Sequence, residues 1–150
     1  MLTASTPKQK VFNCFMDLPL SVLSQVAAIL EKRGSFNAIH FDSVFKVDIF
    51  IPKGDSFGMA ELDRRELRKI SPDSDETVFV ATAEDTILAK LRCNRAGNET
   101  SSNQWNDVVG ILGTSLHTLD FDYLRTCAED LELTDLFEKA LNNVREESGE

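Results

Sequence analysis

The sequence predicts an α+β fold, in which a small mixed β-sheet is flanked by helices and a helical layer forms the C-terminal part. Three observations lead there. Runs rich in Val, Ile and Phe occupy residues 36–41, 44–51 and 77–81, and all three precede residue 82. Apolar residues recur at helical spacing from Val22 to Leu30, and again through the rest of the chain after residue 82. Helices flank these strands and a helical C-terminal layer packs alongside, which is an α+β arrangement. At 150 residues the chain has the length of one domain, and it reads as a single domain 1–150 with an α/β half at 1–81 and a helical half at 82–150. A hydrophobic fraction of 42% with ten Phe supplies a core without a metal or disulfide staple.

Taken in order, residues 11–16 form a short apolar stretch whose type the pattern does not assign. A helix follows, beginning near residues 18–21, because Pro19 is tolerated only in a first turn. Its apolar positions are Val22, Val26, Ile29 and Leu30, and Gly34, just after Lys32 and Arg33, reads as the C′ residue that ends it. The strands at 36–41 and 44–51 are joined by Asp42-Ser43, which is hairpin spacing without the favoured Asn-Gly or Asp-Gly turn. On the second strand Phe45, Val47, Ile49 and Ile51 share one face, and Lys46, Asp48 and Phe50 share the other.

Pro52 to Asp55 breaks that strand, and residues 59–70 read as a short charged helix. There Arg64, Arg65, Arg68 and Lys69 interleave with Glu61, Asp63 and Glu66, the pattern of a solvated face laced with i,i+4 pairs. After the strand at 77–81, Thr82-Ala83-Glu84-Asp85 has the form of a helix N-terminus with two carboxylates in the first turn. The helix it opens buries Ile87, Leu88 and Leu91 and ends at Gly97. A polar loop at 98–103 leads to Trp105, Val108, Val109 and Leu112, spaced i, i+3, i+4, i+7. Helices over 121–131 and 134–144 complete the set, and their short connections predict antiparallel neighbours.

Charge narrows the function. The net charge is −9, and the last 36 residues carry three basic and ten acidic side chains. Such a surface gives no phosphate-binding footprint for duplex DNA, which needs Lys and Arg clustered on one face. No run approaches the ~18 apolar residues of a membrane span. The N-terminus has its lysines interrupted by polar residues and lacks the clean apolar region and small-residue cleavage site of a secretory leader, so the expected location is cytoplasmic, away from any membrane. Cys14, Cys93 and Cys127 form no CxxC and read as small core residues rather than a disulfide framework or zinc site. Motifs for dinucleotide, P-loop, zincin and serine-hydrolase chemistry are absent. Of the two histidines, His40 reads as a structural or rim residue of the first strand and His117 as a surface residue after a helix end.

Three polar residues stand out. Asp48 is a lone acid in a strand otherwise built from Phe, Val, Ile and Lys, and a carboxylate there must be paired, exposed or bound to a cation. Lys90 borders the stripe of Ile87, Leu88 and Leu91 and alone would be a snorkelling surface lysine. Asp107, between Trp105 and Val108, serves equally as a cap or an exposed acid.

As a set, Asn37 to His40, Lys46 to Ile49, Ala81 to Asp85 with Lys90, and Gln104 to Val108 resemble small bacterial proteins of the DNA polymerase beta-like nucleotidyltransferase superfamily. These are similar to the abortive-infection toxin nucleotidyltransferases, and the resemblance spans about residues 35–144. It implies nucleotidyl transfer from an NTP to an acceptor hydroxyl, with Mg²⁺ held by carboxylates at the nucleotide phosphates. On it, Asp48 matches the third metal carboxylate. Lys90 matches a lysine placed near the nucleotide phosphates or near Asp107, and Asp107 matches the acid of the next helix. Lys46 joins Lys90 in nucleotide binding, and Asp85 is a cap. The superfamily's Gly-Ser and Asp-x-Asp unit should precede residue 35, but residues 1–35 hold only Asp17 and Glu31 as acids and Gly34 as glycine. The expectation is therefore a nucleotidyltransferase-fold protein, shortened at its N-terminal side and weak or inactive as this chain alone. The alternative is a non-catalytic interaction or antitoxin-like module that retains the fold. A sheet edge exposed by the missing strand pair would suit a protein partner or a homodimer.

Overall fold

The computed structural model describes residues 20–40 and 45–148, with side chains resolved over 24–39 and 46–146. The stretch at 11–16, Cys14, Asp17, Pro19 and the Asp42-Ser43 turn lie outside the described residues, as does the side chain of His40. The elements are α1 (Leu20–Glu31), β1 (Ser35–His40), β2 (Phe45–Phe50), α2 (Ser56–Arg64), β3 (Glu66–Lys69), β4 (Thr77–Val80), α3 (Ala83–Ala96), α4 (Ser102–Ser115), α5 (Phe121–Asp130) and α6 (Thr134–Ser148). The chain forms two compact units, Met1–Asp55 and Ser56–Glu150.

In the first unit α1 leads into an antiparallel β1–β2 pair. The helix closes differently from the sequence reading. Arg33 takes the left-handed conformation (φ 49°), and Gly34 follows it. Gly34 N–H donates to Ile29 O at 3.0 Å, and a Cβ on Gly34 would stand 3.2 Å from Ile29 Cγ2, so the glycine serves close approach rather than a left-handed turn. Ile51 N–H then donates to Gly34 O at 3.0 Å, extending the ladder past β2. Beyond it, Gly54 is the glycine that does need positive φ (71°), and Arg33 crosses to donate to Pro52 O at 3.0 Å beside it.

The second unit holds the core. Ile87, Leu88 and Leu91 of α3, Val108 and Leu112 of α4, Leu124 and Ala128 of α5, and Leu136, Phe137, Ala140 and Val144 of α6 are buried together. Helix α3 packs on α4 and α5, and α6 packs on the same two. The four therefore form a ring in the order α3, α4, α6, α5. Short connections do make neighbours of α3 and α4 and of α5 and α6, but α4 and α5, though consecutive, stand at opposite corners.

Three expectations are corrected. The one mixed sheet is two antiparallel pairs, β1–β2 and β3–β4. The helix expected over 59–70 stops at Arg64, and Glu66–Lys69 is a strand whose Leu67 faces Phe79 and whose Lys69 faces Thr77 across the pair. Its charges consequently do not line one helical face. Arg68 bonds Glu66 two residues away, on the same side of the strand, and Lys69 reaches Asp75 at 3.2 Å. Cys93 is exposed, because α3 turns it away from the ring's interior, whereas Cys127 is half-buried and packs against the core. Among the described residues, no helix is long and apolar enough to cross a membrane.

Candidate functional site

The polar residues singled out in the sequence fall into two groups, one in each unit. On the β1–β2 pair Asn37 lies opposite Asp48, and Ile39 lies opposite Lys46, so all four share one face. Asp48 accepts a hydrogen bond from Asn37 Nδ2, and its Oδ1 lies 3.0 Å from Lys46 Nζ. The Lys46 ammonium, and then the Asn37 amide, hold the Asp48 carboxyl below the usual carboxylate range. Nearly half its side-chain surface is open, which resolves how an acid is accommodated in an apolar strand: it is both exposed and paired.

In the second unit Lys90 extends from α3 and Asp107 from α4, and Lys90 Nζ donates to Asp107 Oδ2 at 2.7 Å. The lysine is the more covered partner, with its stem against the bundle and its head on a carboxylate that remains mostly exposed. Sequence periodicity placed both residues beside apolar stripes, and the packing of α3 on α4 brings them together.

A third group was missed. Asp85 is fully buried. Thr82 caps α3 by accepting from Asp85 N–H at 3.1 Å, as the sequence pattern predicts. The Asp85 carboxylate is more than a cap, because it also collects three side chains. Thr82 Oγ1 donates to it at 2.8 Å, Arg64 Nε at 3.2 Å and Tyr123 OH at 2.6 Å. The Arg64 guanidinium lies 3.8 Å over the Tyr123 ring, and Arg64 also approaches Glu84 at 3.9 Å. Glu84 in turn accepts from the backbone N–H of Asp120, the N-cap of α5, at 3.0 Å. Burial, then the bond to Asp85, pushes the Tyr123 phenol far above its ordinary value. Burial alone would lower the Arg64 value, but Asp85, Tyr123 and Glu84 together outweigh it and raise it. Two acids side by side in a first turn were the available signal, and the structure engages both, Glu84 with the Asp120 N–H and Asp85 with Arg64 and Tyr123.

The donor set bears on the metal. Among the described residues, no three His, Cys, Asp or Glu side chains gather where they could hold a metal ion. Asp48 offers one carboxylate, and its Oδ1 already faces an ammonium. Mg²⁺ is normally held by one or two carboxylates together with substrate phosphates, and Asp48 supplies one such carboxylate.

Neither family models, curated proteins nor solved structures gave a match to the chain.

The functional reading therefore rests on the residues themselves. Each group does something chemically definite. Asp48 and Lys46 present an acceptor and a cation side by side on an open strand face, Lys90 and Asp107 form an ion pair at a helix seam, and Asp85 locks Arg64 and Tyr123 to the start of α3.

Proposed function

We propose that the chain is a nucleotidyltransferase-fold protein that binds an NTP weakly and transfers no nucleotidyl group on its own. One observation carries the reading: the polar residues of the resemblance pair among themselves, Asp48 with Lys46 and Asn37, and Lys90 with Asp107. Each group holds a lysine, Lys46 exposed and Lys90 partly covered, whose ammonium can meet phosphate oxygens as a point charge. A single carboxylate cannot replace the three that in-line nucleotidyl transfer uses in that superfamily, so transfer would need carboxylates from elsewhere.

The test is calorimetric titration of the chain with ATP, GTP, CTP and UTP, each with Mg²⁺. The expected result is weak heat with at least one NTP that Asp48→Asn reduces and Lys90→Gln reduces independently. Absence of heat with all four, with Asp48→Asn changing stability alone, would sink the nucleotide reading and leave the non-catalytic interaction module. Release of pyrophosphate by the chain alone would refute the inactive half of the proposal.

A further inference from the structure

The exposed apolar surface of the second unit is concentrated in one segment. Its large exposed apolar residues all lie between Met59 and Val80, and helices α3 to α6 contribute none. Leu67, Ile70, Val78, Phe79 and Val80 among them lie on the β3–β4 pair or next to it. Every residue of both strands is exposed. A two-stranded pair that buries nothing is marginal in water, and three or more strands with an apolar face are needed to hold one.

The backbone adds a free edge to the apolar side chains. Ile70 N–H donates to Glu76 O at 3.0 Å, which sets the phase of the ladder. Arg68 with Val78 and Glu66 with Val80 are then the hydrogen-bonded pairs, and the N–H and C=O groups of Thr77 and Phe79 turn to the outer edge of β4. Among the described residues no further strand pairs there. The two edges of the pair differ in charge. Strand β3 reads Glu66-Leu67-Arg68-Lys69, and charged side chains, lysine above all, blunt an edge against pairing. Strand β4 reads Thr77-Val78-Phe79-Val80, which is β-branched and aromatic throughout and carries no charge.

We propose that β4 pairs antiparallel with β4 of a second copy of this chain, about a two-fold axis at Phe79, giving one sheet in the order β3, β4, β4, β3. In this register Phe79 opposes Phe79, Val78 opposes Val80 and Thr77 opposes Ala81, so no charge faces an apolar residue across the axis. The neighbouring two-fold registers are worse. An axis at Val78 sets Val80 against Glu76, and an axis at Val80 runs Thr77 into Ala83, the first residue of α3. The charge pattern also selects a second copy over a foreign strand. Once the two β4 strands pair, the only edges left are the two charged β3 strands, so the assembly closes at two chains, whereas a foreign strand would leave an edge of its own.

Sedimentation velocity of the full chain over a range of concentrations tests this. The expected result is monomer in exchange with dimer and nothing larger. Phe79→Glu and Phe79→Lys each set like charges directly opposite one another and should each weaken the dimer at least tenfold. An equal mixture of the two variants sets Glu against Lys at the axis and should recover the dimer, which only a register that opposes residue 79 to itself predicts. Phe79 is 61% exposed, so the helical circular dichroism signal of both variants should match the wild type. Thr77→Pro is the second variant: it removes one outer-edge N–H at the first residue of the strand, where proline is tolerated, and should also weaken the dimer. A monomer at every concentration overturns the proposal, and so do open-ended larger species. A dimer that both Phe79 variants leave intact overturns it too, because the interface then lies elsewhere, and a mixture that stays monomeric overturns the axis at Phe79.

Discussion

At the scale of single residues, pairing decides what each acid can do. Asp48 stays open to solvent, yet Lys46 and Asn37 hold its carboxyl below the ordinary range. A lowered folded value means that the stability this contact adds is present above the unfolded value of about 3.9 and is lost as pH falls through the lower folded value. Carboxyl carbon NMR should therefore show Asp48 titrating below its ordinary value, and Lys46→Gln should move it back up. An unmoved midpoint in that variant would mean the lysine contact is not made in solution. Asp85 is the buried counterpart. Replacing Tyr123 by Phe removes a 2.6 Å donor and leaves a buried charged acceptor short of a partner, at a cost of about 1–3 kcal/mol in urea unfolding. Because the Tyr123 value is raised by folding, its contribution is fully present below about pH 10 and is lost as pH rises beyond that. The wild-type chain should thus weaken in alkali in a way that Tyr123→Phe does not. Equal alkaline sensitivity in both proteins would show that Asp85 does not rely on this phenol.

At the scale of elements, the helical bundle was legible and the charged segment before it was not. The stripes of α3 to α6 repeat at i, i+3, i+4 and i+7 because each helix buries one side, and burial is what writes periodicity into sequence. Strand β3 has only four residues, all exposed along with those of β4, so no alternation of apolar and polar positions marks it. Its alternating charges matched helical spacing equally well, and the pairing with β4 that makes it a strand is tertiary. The same limit explains the candidate site. Asn37 and Asp48 could be brought together from hairpin spacing, whereas Asp85 finds Arg64 and Tyr123 at sequence separations of 21 and 38 that no local pattern records. Helix α4 offers a test of how far local propensity still acts. Gly110 sits inside it, exposed, with no atom within 4 Å of where a Cβ would stand. Gly110→Ala should stabilise the protein by about 0.5–1 kcal/mol, since alanine gives up less backbone freedom and meets nothing. A loss of stability in the thermal melt would show that this face of α4 is covered in solution.

At the scale of the whole molecule, the two units differ in what holds each together. Among the described residues, every buried side chain belongs to the segment from Phe57 to Val144. In the first unit α1 and the β1–β2 pair expose Leu30, Ile39, Val47 and Phe50, and no described residue there is buried. A helix of 12 residues is marginal in water, and so is an isolated two-stranded hairpin. The ring of α3 to α6 has its own core, with capped helix starts at Thr82, Ser101 and Asp120, and the Asp85 cluster ties Arg64 at the end of α2 to it. These differences predict that residues 56–150, expressed alone, fold and unfold in one cooperative transition, with a helical circular dichroism signal and dispersed amide resonances. A peptide of residues 20–55 should show no cooperative transition on its own. If the 56–150 fragment instead lacks a transition that the full chain has, its core depends on the first unit, and stability rests on more than the ring. If it melts at the temperature of the full chain, the bundle is the folding unit, and Asp48 and Lys46 are carried by a segment that adds chemistry rather than stability.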